Sequence, residues 1–205
     1  MAEKRKSHKV SVLITVYNQE ILVKRALESI PEREDIEVIV VDDGSTDNTL
    51  TSVLEFWQDT SLDMKVVQHQ INKGVTAAFN KCLDIADGEY LYQLDSDDCL
   101  YTEEWEKALE YLTGYDLVYV NARINDGTLY KATEENHNFC AGWFHFIRRE
   151  YLGDLRRVKN AYGGDLEMHM ALINRPHTKY YTDLCAYHYN FPRRGSITWD
   201  LFNMK

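Results

Sequence analysis

Ile36-Glu-Val-Ile-Val-Val-Asp-Asp-Gly-Ser45 is the stretch that decides the fold. Its first six residues form a nearly continuous, β-branched apolar run, as expected of a strand buried on both faces. The run stops in two carboxylates and a Gly-Ser turn. Thr46 or Asp47 then caps a helical pattern with Leu50, Val53, Leu54 and Trp57 on one side. Upstream, Val10 to Val16 is a similar run, and Ile21, Leu22, Arg25, Ala26 and Leu27 behind it read as a helix that Pro31 stops. Downstream, Lys65 to His69 reads as a short strand and Glu89 to Leu94 as a fourth. Between them Gly74 to Ala86 reads as a helix with apolar residues at i, i+3, i+4 spacing. Apolar strands alternating with such helices imply βαβ units: an α/β, Rossmann-like, mainly parallel central sheet with helices on both faces. Ligands collect beyond the carboxyl ends of the strands in such sheets, which places Tyr17, Asp43 and Asp95 to Asp98 along one rim.

The pattern changes after a helix expected over Thr102 to Leu112. Leu117 to Ile124 and Thr128 to Lys131 flank Asn125-Asp126-Gly127, a hairpin signal. Thr133 to Asn138 reads as a polar loop, Ala141 to Ile147 as extended, and Arg149 to Leu152 as a helical turn. Asp165 to Ile173 reads as a helix, and Tyr180 to Phe191 as irregular or strand-like closing structure. With no repeat, low-complexity stretch or linker, one domain over residues 1–205 is expected.

Hydrophobic residues make up 44% and charged residues 27%, values of an ordinary globular protein. The basic start at Lys4 to Lys6 and Lys9 is not followed by a signal-type apolar core, and no run approaches a membrane span. A cytoplasmic protein is expected, with peripheral membrane contact left open. Of the net charge of −10, residues 1–146 carry −14 (13 basic, 27 acidic) and residues 147–205 carry +4 (10 basic, 6 acidic). The acidic majority argues against sequence-specific nucleic-acid binding. Cys82, Cys99, Cys140 and Cys185 show neither CxxC nor zinc spacing and read as reduced thiols, Cys82 as a core residue.

The chemistry concentrates in Tyr90-Leu-Tyr-Gln-Leu-Asp-Ser-Asp-Asp98, an apolar strand that ends in Asp95, Asp97 and Asp98. A single Asp there would be an ordinary turn or cap residue. Three within four positions are costly unless a cation sits among the oxygens, and Mg²⁺ and Mn²⁺ take such ligands. Elsewhere on the rim, Tyr17 could stack on a base, Asp43 could accept the imide hydrogen of a uracil-type base, and Asn72-Lys73-Gly74 could bind phosphate at a helix start. Taken singly, Tyr17 reads better as an interfacial tyrosine, Asp43 also reads as a turn residue, and a plain cap explains Asn72 to Gly74 equally well.

Taken in order they are more specific. Ser11-Val-Leu-Ile-Thr-Val-Tyr-Asn18, Val41-Asp-Asp-Gly-Ser-Thr-Asp47, Asn72-Lys-Gly-Val-Thr-Ala-Ala-Phe-Asn80, Ala86-Asp-Gly-Glu-Tyr90 and Leu94-Asp-Ser-Asp-Asp98 closely resemble the family 2 inverting glycosyltransferases. The resemblance implies a GT-A, nucleotide-diphospho-sugar transferase fold with an antiparallel acceptor-side extension. Residues to about 100 would form its nucleotide-sugar half and the rest its acceptor half. It implies a nucleotide-sugar donor, usually a UDP-sugar, an acceptor hydroxyl, and Mn²⁺ or Mg²⁺ at Asp95-Ser96-Asp97. By the same resemblance Thr15, Tyr17 and Asp43 contact the nucleoside, Asp95 the ribose or metal, and Asp97 the metal; Asn18, Asn72, Lys73 and Ser96 complete the donor contacts.

The resemblance further implies a catalytic carboxylate in Tyr162-Gly-Gly-Asp-Leu-Glu-Met-His169, where Asp165 aligns with the base and Gly164 replaces the usual Glu. Glu167, two residues on, would point to another side of a helix, so only one of the two should face the cleft. A late motif, Tyr187 to Thr198, resembles one that closes over the diphosphate, with His188 as a further metal ligand and Arg193 or Arg194 as a phosphate clamp. His69, His137, His145, His169 and His177 show no ligand spacing and are assigned no chemistry. Trp143, in Cys140 to Phe146, could stack on an acceptor sugar or simply pack in the core. The expected function is a metal-dependent inverting glycosyltransferase of hexosyl type. A nucleotidyltransferase or sugar-nucleotide hydrolase on a similar scaffold is one alternative, although Val16 to Gln19 lacks a Gly-rich phosphate loop. A non-catalytic sugar-nucleotide-binding domain, with Gly164 marking a decayed site, is the other.

Overall fold

A computed structural model describes residues 8–135, 144–158 and 164–194. Lys4 to Lys6, His137, Cys140 to Trp143, and the Tyr162-Gly163 and Gly195 to Thr198 parts of the two late motifs lie outside the described residues. The strands are β1 (Val10–Val16), β2 (Ile36–Asp42), β3 (Asp63–Gln68), β4 (Tyr90–Gln93), β5 (Cys99–Leu100), β6 (Leu117–Ile124), β7 (Leu129–Tyr130), β8 (His145–Arg148) and β9 (Lys179–Tyr189). The helices are α1 (Glu20–Glu28), α2 (Thr49–Asp59), α3 (Val75–Ile85), α4 (Thr102–Ala108), α5 (Arg149–Leu152) and α6 (Gly164–Ile173).

One sheet runs β3-β2-β1-β4-β8-β6-β9-β5, with β7 beside β6. The first four strands are mutually parallel, so the carboxyl ends of β1, β2, β3 and β4 share one edge. The register pairs Val16 with Asp42, Asp42 with Gln68, and Leu13 with Gln93. From β8 onward the sheet is mixed: β8 is antiparallel to β4 and β6, whereas β9 runs parallel to β6. The extension is therefore mixed and not purely antiparallel, and the closing segment, read as irregular or strand-like, is an 11-residue strand. The helix after Thr102 is shorter than its pattern, ending at Ala108 and tightening into a 3₁₀ turn over Leu109–Tyr111.

Period-2 alternation divides the core. Val12, Ile14, Val38, Val40 and Tyr92 face α1 and α4 with Val23, Leu27 and Trp105. Leu13, Ile39, Val41 and Leu91 face α3 and α6 with Ala78, Phe79, Cys82, Met168 and Leu172. Cys82 is a core residue as expected, and burial pushes its thiol upward. The second face matters for function, because Thr15, Asp43 and Gln93 are in phase with it.

At the opposite edge of the sheet, the charge inside the β2 run is resolved. Glu37 is fully buried and accepts from Lys65 Nζ at 2.6 Å, from the Ser11 hydroxyl, and from the Asp87 and Gly88 N–H groups at 2.7 and 3.1 Å. Gly88 is required there, because a Cβ would lie 2.5 Å from the Ser11 nitrogen. Among the described residues, His8, Glu37 and Asp87 form the one trio of metal-type side chains within 4.8 Å, and Lys65 already supplies a cation at 2.6 and 3.0 Å from Glu37 and Asp87. Removing the carboxylate leaves the Asp87 N–H without its acceptor and takes from Lys65, Ser11 and the Gly88 N–H a shared buried partner. Glu37→Ala is expected to cost about 3 kcal/mol in urea unfolding; a loss below about 1 kcal/mol would show the network to be dispensable.

Candidate active site

Three loops meet at the carboxyl edge. Asn18, at φ 52°, is a non-glycine residue in left-handed conformation, and its side chain explains why. Its Oδ1 accepts from the Thr46 N–H at 2.8 Å while its own N–H donates to Ser45 Oγ at 2.9 Å, tying the loop after β1 to the loop after β2. Gly44, at φ 78°, lets that loop lie against the β3–α3 connection; a Cβ would sit 2.7 Å from the Ile71 carbonyl carbon. Asp42 stays structural, accepting from Ser45 and from Gln68 Nε2 at 3.0 Å.

Asp43 is buried, and both its oxygens are used. Oδ1 lies 2.7 Å from His69 Nδ1 and accepts from the Lys73 N–H at 3.0 Å; Oδ2 accepts from the Gly74 N–H at 2.7 Å. Two expectations change. The amides that open α3 already hold an anion, and it is Asp43 rather than a phosphate. His69, read as chemically silent, orients that carboxylate. With three donors bound, the carboxylate keeps about one acceptor position for an incoming imide hydrogen. Thr15 is half-buried beside it, while Tyr17, Asn72 and Lys73 are exposed along the rim.

The acidic loop after β4 separates into distinct roles. Asp98 is buried, with Oδ2 accepting from the Tyr187 hydroxyl at 2.6 Å and Oδ1 from the Asn190 N–H at 2.8 Å, so it fastens the loop to β9. Asp97 is partly exposed and receives Arg193 Nε and Nη2 on Oδ2 at 3.0 and 2.5 Å. Asp95 Oδ1 accepts from Gln93 Nε2 at 2.6 Å, and the Asp95 N–H donates to the Tyr187 oxygen at 3.3 Å. Burial, and then the negative charge of Asp97, push the Asp95 carboxyl up to about 7. Burial and the same neighbours raise Asp98 as well. Carboxylates forced together in this way fit a hard divalent cation, which would favour their ionised forms. Ser96, between the two loop carboxylates, is buried.

His188 is not part of this set. It follows Tyr187 on β9 and so turns to the opposite side of the strand, where its ring lies 5.8 Å from that of Tyr101. Burial, and then Arg25, lower its pKa. Strand alternation is the physical reason: the residue that reaches the acidic loop is Tyr187. Of the two late arginines, Arg193 touches the loop and Arg194 is exposed.

Across the edge, Asp165 lies in the first turn of α6 and lines a cavity of about 20 Å³ with Gln93, Arg157, His145 and His169, room for about one water molecule. Glu167 is exposed, so of the two carboxylates in this turn Asp165 is the one at the cavity. Asp165 is close enough to Asp95 and Arg157 to act on both electrostatically. Arg157 carried no sequence signal, and the structure buries it between these carboxylates.

The family model for glycosyl transferase family 2 matches residues 11–182. The chain belongs to that family. It is 37% identical over 100 residues to the poly(ribitol-phosphate) beta-glucosyltransferase of Bacillus spizizenii, covering 46% of this chain and 16% of that protein. It is 31% identical over 127 residues to the GalNAc(5)-diNAcBac-PP-undecaprenol beta-1,3-glucosyltransferase of Campylobacter jejuni, covering 60% and 41%. The family 2 chain spans less than half the length of the curated relatives it matches. Among solved structures, TarS residues 1–349 of S. aureus in complex with UDP superimposes with a TM-score of 0.76 at 25% identity, over 89% of this chain and 60% of that one. The mannosyltransferase PcManGT of Pyrobaculum calidifontis, in complex with GDP-Man and Mn²⁺, gives a TM-score of 0.73 at 20% identity over 95% and 60%, a likeness of fold. The architecture is GT-A. Among the described residues no helix is long and apolar enough to cross a membrane.

The Asp95 shift has a measurable consequence. Its folded pKa lies above that of an unfolded carboxyl, about 4, so its contribution to stability is complete below that pH and lost as pH rises through about 7. In chelator, Asp95→Asn is expected to flatten this part of the melting-temperature profile. A variant profile parallel to that of the parent protein would place the strain elsewhere.

Proposed function

We propose that this chain is a metal-dependent, inverting glycosyltransferase that moves a sugar from a UDP-sugar to an acceptor hydroxyl. One observation carries the reading: Asp165, in the first turn of α6, shares a cavity with Gln93, whose side-chain amide holds the loop carboxylate Asp95, and it is close enough to Asp95 to act on it electrostatically. The likeness to TarS structures holding UDP and UDP-GlcNAc, at 25% and 26% identity, supports the donor class.

In this reading the uracil reaches the remaining acceptor position of Asp43, and Tyr17, exposed at the rim, stacks on the base. Thr15 and Asn18 complete the nucleoside wall, and Asn72 and Lys73 lie along the path of the diphosphate. Mn²⁺ or Mg²⁺, which Asp95 and Asp97 would hold beside Ser96, supplies neutralisation of the charge that develops on the departing diphosphate. Arg193, whose guanidinium rests on Asp97, is placed to turn onto phosphate oxygens. Asp165 takes the proton of the acceptor hydroxyl as that oxygen attacks the anomeric carbon from the face opposite the leaving group, which inverts the centre. Holding donor and acceptor in line supplies much of the remaining acceleration. The halves before and after about residue 100 then serve donor and acceptor respectively.

A panel of nucleotide sugars with Mn²⁺ or Mg²⁺, scored for binding and for slow hydrolysis, tests the reading; absence of nucleotide binding with either metal would overturn it. Asp165→Asn is expected to keep donor affinity and lower transfer by about 10²–10⁴-fold. Retained transfer would remove the base assignment. Asp97→Ala is expected to abolish the metal-dependent part of donor binding, read by calorimetry with and without the ion.

A further inference from the structure

Arg157 is a buried cation that none of the motifs accounts for. It lies between the sheet and α6, with its guanidinium carbon 3.7 Å from the centre of the Phe79 ring. Its backbone is held by Asn80, whose side chain accepts from the Arg157 N–H at 2.9 Å and donates to the Arg157 carbonyl at 3.0 Å. Nη2 donates to Gln93 Oε1 at 2.5 Å. Nε is buried and has no hydrogen-bond partner. Burial lowers the pKa of this guanidinium, while the charges of Asp165 and Asp95 oppose that shift.

A buried arginine is retained where its fork fixes something. Here it fixes an amide. Gln93 has two ends that are nearly alike in shape but opposite in hydrogen-bonding sense. With Oε1 committed to Arg157, the NH₂ end must point the other way, and it donates to Asp95 Oδ1 at 2.6 Å. Reversing the amide would set Oε1 against the carboxylate and the NH₂ group against the guanidinium, two repulsive contacts in place of two attractive ones. We propose that Arg157 is a positioning residue for Asp95, acting through the side-chain amide of Gln93, and that it aligns the donor-side carboxylate with the same cation that faces Asp165. The functional half of this inference rests on the glycosyltransferase reading; the positioning half does not.

Two measurements on the purified full chain separate them. The first follows the Gln93 side-chain NH₂ signals by ¹⁵N–¹H NMR without nucleotide or metal. In Arg157→Met these protons are expected to lose the downfield shift and slow exchange of a carboxylate-bound amide, and Arg157→Lys is expected to restore them in part. The second is UDP calorimetry with and without Mn²⁺. Arg157→Met and Gln93→Leu are each expected to weaken the Mn²⁺-dependent part of binding about tenfold, as loss of a group supporting a metal ligand does. The double variant should be no weaker than either single one, because both changes break one chain of contacts. Unchanged amide signals in folded Arg157→Met, or additive losses in the double variant, would overturn the proposal. If Arg157→Met does not fold, Arg157→Lys decides by the same signals. A parent protein that binds no UDP with Mn²⁺ overturns the functional half and the proposed function with it, while the amide signals still decide the positioning.

Discussion

Concentrated negative charge at the end of β4 is the constraint around which the rest of this molecule is arranged. Asp95, Asp97 and Asp98 fall within four positions, and each is met by a different device. Tyr187 and the Asn190 amide tie Asp98 to β9, Arg193 covers Asp97, and the Gln93 amide, backed by Arg157, holds Asp95. Apart from Gln93, which ends β4 itself, those partners come from the mixed half of the sheet, from the segment before α6 and from the end of the described chain. The chain beyond β4 thus meets the acidic loop largely through polar contacts. What remains uncompensated shows in the Asp95 carboxyl, which burial and the charge of Asp97 push upward.

The two edges of the parallel strands solve the same problem in opposite ways. At the amino edge, Glu37 is neutralised within the protein by Lys65, a serine hydroxyl and two backbone N–H groups, and the result is a closed structural network. At the carboxyl edge, the loops supply fewer cations than carboxylates. Asp43 is the intermediate case. Its backbone donors and His69 stabilise the carboxylate while leaving about one acceptor position for a ligand.

Residue phase explains why the polar groups of the carboxyl edge converge. Leu13 and Thr15 on β1, Val41 and Asp43 at the end of β2, and Leu91 and Gln93 on β4 belong to one face of the pleat, the face covered by α3 and α6. The apolar members bury against those helices, and the polar members that follow emerge at the edge beside α3 and the first turn of α6. Asp165 reaches them because α6 packs on that face through Met168 and Leu172, and Arg157 because Asn80 of α3 holds its backbone there.

The sequence alone determined the parallel core and the rim. Continuous β-branched runs at Val10–Val16 and Ile36–Asp42, alternating with amphipathic helices, leave few other arrangements, and strand polarity then assigns Tyr17, Asp43 and Asp95 to one edge. Local patterns also carried the turn at Asn125 to Gly127 and the short helix at Arg149. Only the tertiary structure decided how polar groups far apart in the chain pair with one another. It took His188 away from the acidic loop, because strand alternation presents Tyr187 instead. It filled the amides before α3 with Asp43, drew His69 onto the same carboxylate, and set Arg157 behind Gln93. These arrangements rest on hydrogen bonds between segments 26 to 89 residues apart. A repeating apolar pattern reports which face of an element is buried; it carries no record of which distant donor will meet a given carboxylate, because that partner is chosen only when the layers pack.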